Sequence, residues 1–317
     1  ACARHGMRLG LYYSQNIDWH EPHGGGWRED KDGYGKTWAN FWDFPAAMEK
    51  NYWIAWEKKL KPQLTEILTQ YGDIATLWCD TPYGKSPEES RVVYEYIKSV
   101  NPDVLVNTRV GNGYGDYTVM ADNEIPEEYM QADVLAEAPI TLNHTWGFNK
   151  FDTAWKQPEV IIRNLIKIVS RGGNYLLNIG PDGLGRIPEE SQRILEEVGD
   201  FMQGNAESIV GTKALPVYPY DLGWGYLTGR NGKVYIHVLE EKPMVQLLNI
   251  VSKMKKVYLL ANGEELKFEQ RETCEGDACW NIWWPNDDQS AARERLGAAG
   301  KVDMVICVEI EGEEAEF

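Results

Sequence analysis

Short apolar runs that end in polar residues alternate with helical stretches through residues 1–210 of the chain. The runs are Leu9–Ser14, Ile74–Asp80, Val104–Arg109, Val134–Thr141 and Tyr175–Gly180. Near-continuous apolar runs of this length are typical of parallel strands that are covered on both faces. The alternation predicts an α/β fold built from five βα units.

The segments between the runs carry helix signals. An apolar stripe extends from Trp53 to Leu68, although Pro62 within it predicts a kink. Capping residues and stop signals mark three further helices: Ser86-Pro-Glu-Glu, Val160–Val169 before Gly172-Gly173, and Pro188-Glu-Glu.

From residue 211 the pattern changes to short alternating strands. They include Lys233–Leu239, Val257–Leu260 and Val302–Ile310, with Asn-Gly turns at 231–232 and 262–263. We therefore predict two domains, an α/β domain over 1–210 and an all-β domain over 211–317.

Five βα units are too few for the eight-stranded barrel that this pattern usually builds. We expect roughly three units to be absent from the N-terminal side, because residues 1–8 resemble the end of a helix that leads straight into a strand. An open doubly wound sheet is the alternative, but no strand is followed by a glycine-rich phosphate loop. A barrel without these units exposes a sheet edge and apolar helix faces, which predicts self-association, including a homo-oligomer.

Charge and composition exclude several functional classes. The formal net charge of −17 opposes binding of nucleic acid, and no apolar stretch is long enough for a membrane helix. Cys274 and Cys279 are close enough in sequence for a local disulfide or a metal clip, but no His lies near them, which favours an ordinary loop. A disulfide would require an oxidising compartment, and we expect an extracellular, periplasmic or lysosome-like location rather than the cytoplasm.

In an α/β barrel the reactive groups lie at the carboxyl ends of the strands. The ends of the five runs carry Tyr13, Trp78, Asp80, Asn107, Arg109, Glu137 and Asn178. Two carboxylates, a cation and aromatic rings on one rim are typical of a glycosidase, which needs one ionised carboxylate and one protonated carboxyl. The 13 Trp and 17 Tyr residues favour sugar stacking, with core filling as the alternative.

The candidate catalytic residues each have a structural alternative. Asp80 fits the ionised carboxylate because a strand end beside Trp78 holds it rigidly, and otherwise it caps the next loop. Arg109 contacts the sugar or the nucleophile, or forms a surface ion pair. Glu137 lies in an apolar strand, as either a general acid or half of a buried salt bridge. Glu124, in a preceding loop, is a second acid candidate or is merely solvated.

Histidines give no sign of a metal site. His20, His23 and His144 have neither the spacing nor the accompanying carboxylates of known zinc sites. We predict no metal and no other cofactor.

Several blocks resemble the retaining α-L-fucosidase family, glycoside hydrolase family 29. They are Gly10–Ser14, Tyr71–Asp80, Asn107–Arg109, Thr145–Phe148 and Gly172–Gly183, of which the last is the most specific. The resemblance covers essentially the whole chain. It implies a (β/α)8-type barrel followed by a C-terminal antiparallel β-sandwich beyond residue 211.

The resemblance also implies roles for individual residues. Asp80 becomes the nucleophile, Tyr13 and Trp78 line the fucose pocket, and Arg109 contacts the sugar or the nucleophile. The acid/base is either Glu137 or Glu124. The chain has Cys79-Asp80-Thr-Pro where the family often has Phe-Asp-Gly, and it has no counterpart of the family's His-His-Asp-Gly segment.

Two functions follow from the sequence. The first is exo-acting, retaining hydrolysis of terminal L-fucose from a fucosylated oligosaccharide or glycoconjugate by double displacement. The second is a catalytically impaired or non-catalytic remnant that retains affinity for carbohydrate.

Overall fold

The computed structural model describes residues 1–24, 50–82, 84–130, 134–216, 222–272 and 278–316. Contacts divide the chain into two compact units, Ala1–Val119 and Met120–Phe317. The domain boundary predicted at 210–211 follows a change of secondary structure and stays a prediction.

The first unit contains a parallel sheet in the order β1-β2-β3. The strands are β1 (Leu9–Ser14), β2 (Ile74–Asp80) and β3 (Leu105–Val106), and a short β4 (Thr118–Val119) follows them. Their register places Tyr12 opposite Trp78 and Ser14 opposite Asp80. A 3-10 turn over Cys2–His5 precedes β1.

The third strand is shorter than the predicted Val104–Arg109. It ends at Val106, and Thr108–Val110 form a 3-10 turn. The reason is that Asn107 contacts β2 through its side chain, since its Oδ1 accepts a hydrogen bond of 2.9 Å from the backbone N of Cys79.

The helical run predicted around Pro62 has three parts. They are α1 (Tyr52–Ala55), a π-helical segment (Trp56–Leu60) and α2 (Lys61–Thr69). Proline has no N–H and its ring crowds the preceding turn of a helix. The wider π-helical turn directly before Pro62 accommodates the ring, at the place where the sequence predicts a kink.

The next helix, α3 (Pro87–Val100), has the predicted start. Ser86 and Glu89 form a reciprocal capping box, with Pro87 at the first helical position. These helices cover one face of the sheet, and the core between them includes Leu64, Leu77, Val93, Ile97 and Val106.

The second unit begins with two parallel strands and two helices. They are β5 (Ala136–Thr141), α4 (Pro158–Ser170), β6 (Asn174–Asn178) and α5 (Glu189–Asn205). The helix α4 ends before Gly172, whose φ of 89° lies in the left-handed region that favours glycine.

Antiparallel strands make up the rest of the second unit. They are β7 (Lys213–Ala214), β8 (Gly225–Arg230), β9 (Lys233–Val238), β10 (Met244–Leu248), β11 (Met254–Leu259), β12 (Lys267–Glu272), β13 (Ala278–Trp283) and β14 (Met304–Ile310). One sheet has the order β11-β14-β9-β8-β7 and the other β10-β13-β12. Both sheets contribute to one apolar core around Trp280, and one helix, α6 (Gln289–Leu296), joins it through Ala292.

Two features of these sheets match sequence signals or qualify them. Asn231 and Gly232 both have positive φ and join β8 to β9 in a two-residue hairpin, as Asn-Gly predicts. Cys279 is buried in β13, whereas Cys274 lies outside the described residues.

None of the described helices is long and apolar enough to cross a membrane.

A buried contact between a histidine and an aspartate connects β9 to the segment before β14. Asp303 Oδ2 lies 2.6 Å from His237 Nδ1, and neither side chain is exposed. Thr228 Oγ1 lies 3.3 Å from His237 Nε2 and donates to the carbonyl of Ser208. The imidazole therefore has a polar partner at each nitrogen, as a buried polar group requires.

Candidate active site

The carboxylate of Asp80 stands at the carboxyl end of β2 with a donor at each oxygen. Arg109 Nη1 donates to Oδ1 at 3.3 Å, and the Tyr12 hydroxyl donates to Oδ2 at 2.9 Å. The side chains of Asp80 and Arg109 are about one fifth exposed, at 22% and 21%. The carboxylate is thus held on two sides and still open to a ligand.

Aromatic rings lie beside this ion pair. The guanidinium of Arg109 lies over the Trp78 ring at 4.8 Å, and the Tyr12 ring stacks on Trp78 with centroids 5.7 Å apart. The register explains the grouping, because Tyr12 and Trp78 are paired neighbours and Asp80 is two residues from Trp78 on the same face.

Tyr13 lies on the other face of β1. Its hydroxyl donates to Gln63 Oε1 at 2.8 Å, and its ring packs with the helix-covered core. Successive strand residues point to opposite faces, so Tyr12 and not Tyr13 contacts Asp80. The pocket role predicted for Tyr13 stays a prediction.

The 3-10 turn at the end of β3 positions Arg109. Thr108 N donates to the carbonyl of Tyr117, and Gly115 packs against the backbone of the turn. A Cβ at Gly115 would lie 2.8 Å from Thr108 Cα, and its φ of 132° also favours glycine. Gly115 thus permits the close approach that shapes the turn.

The residue after Asp80 has an unusual backbone conformation. Thr81 has φ 56°, a region that a β-branched residue rarely adopts. Its Oγ1 donates to the carbonyl of Asp80 at 2.7 Å and lies 3.0 Å from Ser14 Oγ. The hydroxyl contacts offset part of the strain at Thr81.

Two phenols and one thiol near the site are held in the protonated form. Desolvation of the Tyr12 hydroxyl by its neighbours and, after it, the charge of Asp80 raise the pKa of Tyr12, although much of the side chain is exposed. Burial raises the pKa of Tyr13, and it raises the pKa of the Cys79 thiol to about 12. Tyr12 therefore acts as a hydrogen-bond donor throughout the neutral range.

The two acid/base candidates lie in the second unit. Glu137 is half-buried in β5, and its backbone pairs with Asn174. Glu124 is exposed, and its Oε2 accepts a hydrogen bond of 3.2 Å from the backbone N of Ala121. Among the described residues, no three His, Cys, Asp or Glu side chains are grouped so as to hold a metal.

Two contributors to this site were missed by the sequence reasoning. Tyr12 is signalled by strand alternation, because it is the residue opposite Trp78 once β1 and β2 are paired. Gln15, whose side chain contacts the backbone of Asp80 and Arg109, has no sequence signal, since it is one polar residue after a strand.

A strand-end carboxylate surrounded by a guanidinium, a phenol and an indole is typical of carbohydrate-active enzymes. The sequence profile of the alpha-L-fucosidase family matches residues 1–207, and the chain belongs to that family.

Individual relatives agree with this assignment. The alpha-L-fucosidase of Dictyostelium discoideum is 31% identical over 194 residues, which are 57% of this chain and 41% of that protein. The crystal structure of alpha-L-fucosidase from Vibrio sp. strain EJY3 superposes with a TM-score of 0.83 at 29% identity, over 99% of this chain and 53% of that one.

A third relative is alpha-L-fucosidase AlfC from Lactobacillus casei, in complex with its alpha-L-fucose product. It is 40% identical, with a TM-score of 0.56 over 61% of this chain and 59% of that one. The chain spans about half or less of the length of the first relatives it matches.

Proposed function

We propose that this chain carries the chemistry of an exo-acting, retaining α-L-fucosidase, with Asp80 as the nucleophile. The observation that supports it most is the Asp80 carboxylate at the end of β2, with Arg109 and Tyr12 at its two oxygens and Trp78 beside them. The substrate class is a fucosylated oligosaccharide or glycoconjugate, from which terminal L-fucose is released.

The chemistry has two displacements. Asp80 attacks the anomeric carbon and forms a glycosyl ester, while a second carboxyl gives its proton to the leaving oxygen. Water then attacks the same carbon, the second carboxylate takes the proton from that water, and Asp80 leaves. Hydrogen bonds from Arg109 and Tyr12 fix the attacking carboxylate, which reduces the reorganisation that the reaction requires.

The architecture proposed for the family member is a (β/α)8-type barrel followed by a β-sandwich. The parallel strands β1 to β3, the parallel pair β5 and β6, and the two antiparallel sheets support it. We further propose that the protein acts without a metal or other cofactor and is located outside the cytoplasm. Self-association stays a prediction, which sedimentation of the purified chain tests.

Release of 4-nitrophenol from 4-nitrophenyl α-L-fucoside tests the central proposal. The matched pair of variants is Asp80→Asn and Asp103→Asn, since Asp103 is an exposed carboxylate of the same unit. We expect the first variant to lose at least a thousandfold in kcat and the second to keep full activity. Equal turnover by wild type and Asp80→Asn would rule out Asp80 as nucleophile.

The stereochemistry is tested separately. Proton NMR of the first-formed sugar distinguishes the mechanisms, since double displacement releases α-L-fucose and a single displacement releases the β-anomer. Early appearance of the β-anomer would contradict retention while leaving fucosidase activity intact.

The dependence of the rate on the leaving group distinguishes Glu137 from Glu124 as the acid/base. Replacement of the true acid/base by Gln should slow hydrolysis of a fucosyl disaccharide much more than formation of the glycosyl ester from the aryl fucoside. Azide, which needs no general base, should restore turnover only in that variant. A relative, AlfC, has been captured with Fuca(1,6)GlcNAc, which makes that disaccharide a suitable first substrate.

A further inference from the structure

Gln15 connects the backbones that carry Asp80 and Arg109. It follows β1 directly, and its side-chain Nε2 donates to the carbonyl of Asp80 at 3.1 Å and to that of Arg109 at 2.8 Å. Its own backbone N also donates to the Asp80 carbonyl at 3.1 Å. Both N–H donors of one buried amide are thus used on the two residues whose side chains form the ion pair.

A buried lysine holds this amide in place. Lys85 Nζ donates to Gln15 Oε1 at 2.8 Å and to the carbonyl of Val110 at 3.0 Å. Gln15 is 2% exposed and Lys85 is 7% exposed. A lysine is seldom buried to this degree unless its amino group has specific partners, and here those partners lie directly beneath the site.

The geometry requires such a connection. Asp80 ends one strand, whereas Arg109 belongs to a 3-10 turn beyond the short strand β3. The side-chain contact of 3.3 Å between them is partly exposed and is weak by itself. Gln15 fixes the main chain on both sides of that contact and so sets the direction of both side chains.

We infer that Gln15 and Lys85 are positioning residues that hold the Asp80 carboxylate and the Arg109 guanidinium in their productive arrangement. Neither touches the reacting atoms. This inference rests on the proposed function only in assigning a catalytic consequence to the arrangement, because the arrangement itself is measurable without turnover.

The test compares Gln15→Leu, Gln15→Asn and Lys85→Met with a matched control, Lys98→Met. Lys98 lies in the same unit and also donates to one backbone carbonyl, that of Val104, and one side-chain oxygen, that of Asp116. Gln15→Asn is included because it retains the amide but is one methylene shorter, and so it withdraws the donors without leaving an apolar side chain against two carbonyls.

Two readouts are taken for each variant. The first is kcat and KM with 4-nitrophenyl α-L-fucoside. The second is the NMR resonance of the Arg109 side-chain N–H, assigned by its loss in Arg109→Lys, because the Trp78 ring 4.8 Å away makes its shift sensitive to position. We expect the Gln15 variants and Lys85→Met to lower kcat at least tenfold with KM within twofold, and to move the resonance, while Lys98→Met changes neither.

The outcomes separate the two proposals. An unmoved resonance in folded Gln15→Asn and Lys85→Met overturns the positioning role, whether or not the chain turns over substrate. A moved resonance with unchanged kcat overturns its catalytic consequence. A wild-type chain that shows no turnover, together with a moved resonance in the variants, contradicts the fucosidase proposal and supports the positioning of the pair.

Discussion

The hydroxyl of Tyr12 donates a hydrogen bond of 2.9 Å to Asp80 Oδ2, across the register between β1 and β2. Tyr12 is the more exposed of the two neighbouring tyrosines, with 59% of its surface accessible. An exposed phenol directed at a carboxylate serves little structural purpose, since such contacts add little to stability in water. Its position favours a role in orienting the carboxylate.

Tyr12→Phe should therefore lower kcat/KM about tenfold, the value of one hydrogen bond to a charged group at a partly exposed site. Folding should be unaffected. The matched control is Tyr71→Phe, because the Tyr71 hydroxyl donates to Glu66 at 2.8 Å and is similarly exposed. Steady-state kinetics of both variants measure the effect. If kcat/KM of Tyr12→Phe equals that of Tyr71→Phe, the contact between Tyr12 and Asp80 does not contribute to catalysis.

The strands could be predicted from the sequence more fully than the contacts of the candidate site. The parallel strands could be predicted because buried runs with polar ends have a clear pattern, and Asp80, Trp78 and Arg109 follow from being at or near those ends. The choice between Tyr12 and Tyr13 depends on which face of β1 meets the helices, which one strand alone does not reveal. The contacts of Gln15 and Lys85 form where three backbone segments meet. Because these segments are far apart in the sequence, residue spacing does not predict the contacts.

Arg109→Lys should lower kcat/KM at least tenfold without unfolding the chain. Lysine keeps the charge but has neither the planar fork that reaches Asp80 nor the flat surface that lies over Trp78. Arg91→Lys is the control, since Arg91 pairs with Glu95 on the exposed face of α3. Full activity of Arg109→Lys in the 4-nitrophenyl α-L-fucoside assay would show that the charge alone suffices.

Thr81 provides a test of backbone strain beside the proposed nucleophile. Its positive φ costs on the order of 1 kcal/mol or more, and its hydroxyl contacts return part of that. Thr81→Gly removes both, so the free energy of unfolding should change by less than about 1 kcal/mol. Thr81→Val keeps the strain and loses the hydroxyl, and should destabilise the protein by roughly 1–3 kcal/mol. Urea unfolding that ranks Val at or above Gly would contradict this account.

The buried pair of His237 and Asp303 should matter far more than any exposed pair. Asp303→Ala leaves the imidazole without its partner at 2.6 Å in a fully buried position, and the unsatisfied buried group should cost roughly 1–3 kcal/mol of unfolding free energy. The control is Glu314→Gln, which breaks the exposed pair with Lys213 and should change stability by less than about 0.5 kcal/mol. Comparable losses in the two variants would mean that burial does not determine the strength of these pairs.

Burial of the Lys85 amino group should make the free energy of unfolding depend on pH above neutrality. Burial, which outweighs the opposing effects of Cys79 and Glu89, lowers the pKa of its amino group from 10.5 to about 8. Between these values the unfolded chain binds more protons than the folded one, so stability rises as the pH increases through this window and is lost as it falls through about 8.

Urea unfolding of wild type and Lys85→Met at pH 7 and pH 10 measures this effect, because groups common to both proteins cancel in the difference. Wild type should improve relative to the variant by roughly 2–3 kcal/mol between the two pH values. Lys98→Met, with a similar pair of acceptors but a more exposed side chain, is the control for loss of a lysine. A difference between wild type and Lys85→Met that stays constant with pH would mean that the Lys85 amino group is not desolvated, and that Gln15 is held by an ordinary solvated lysine.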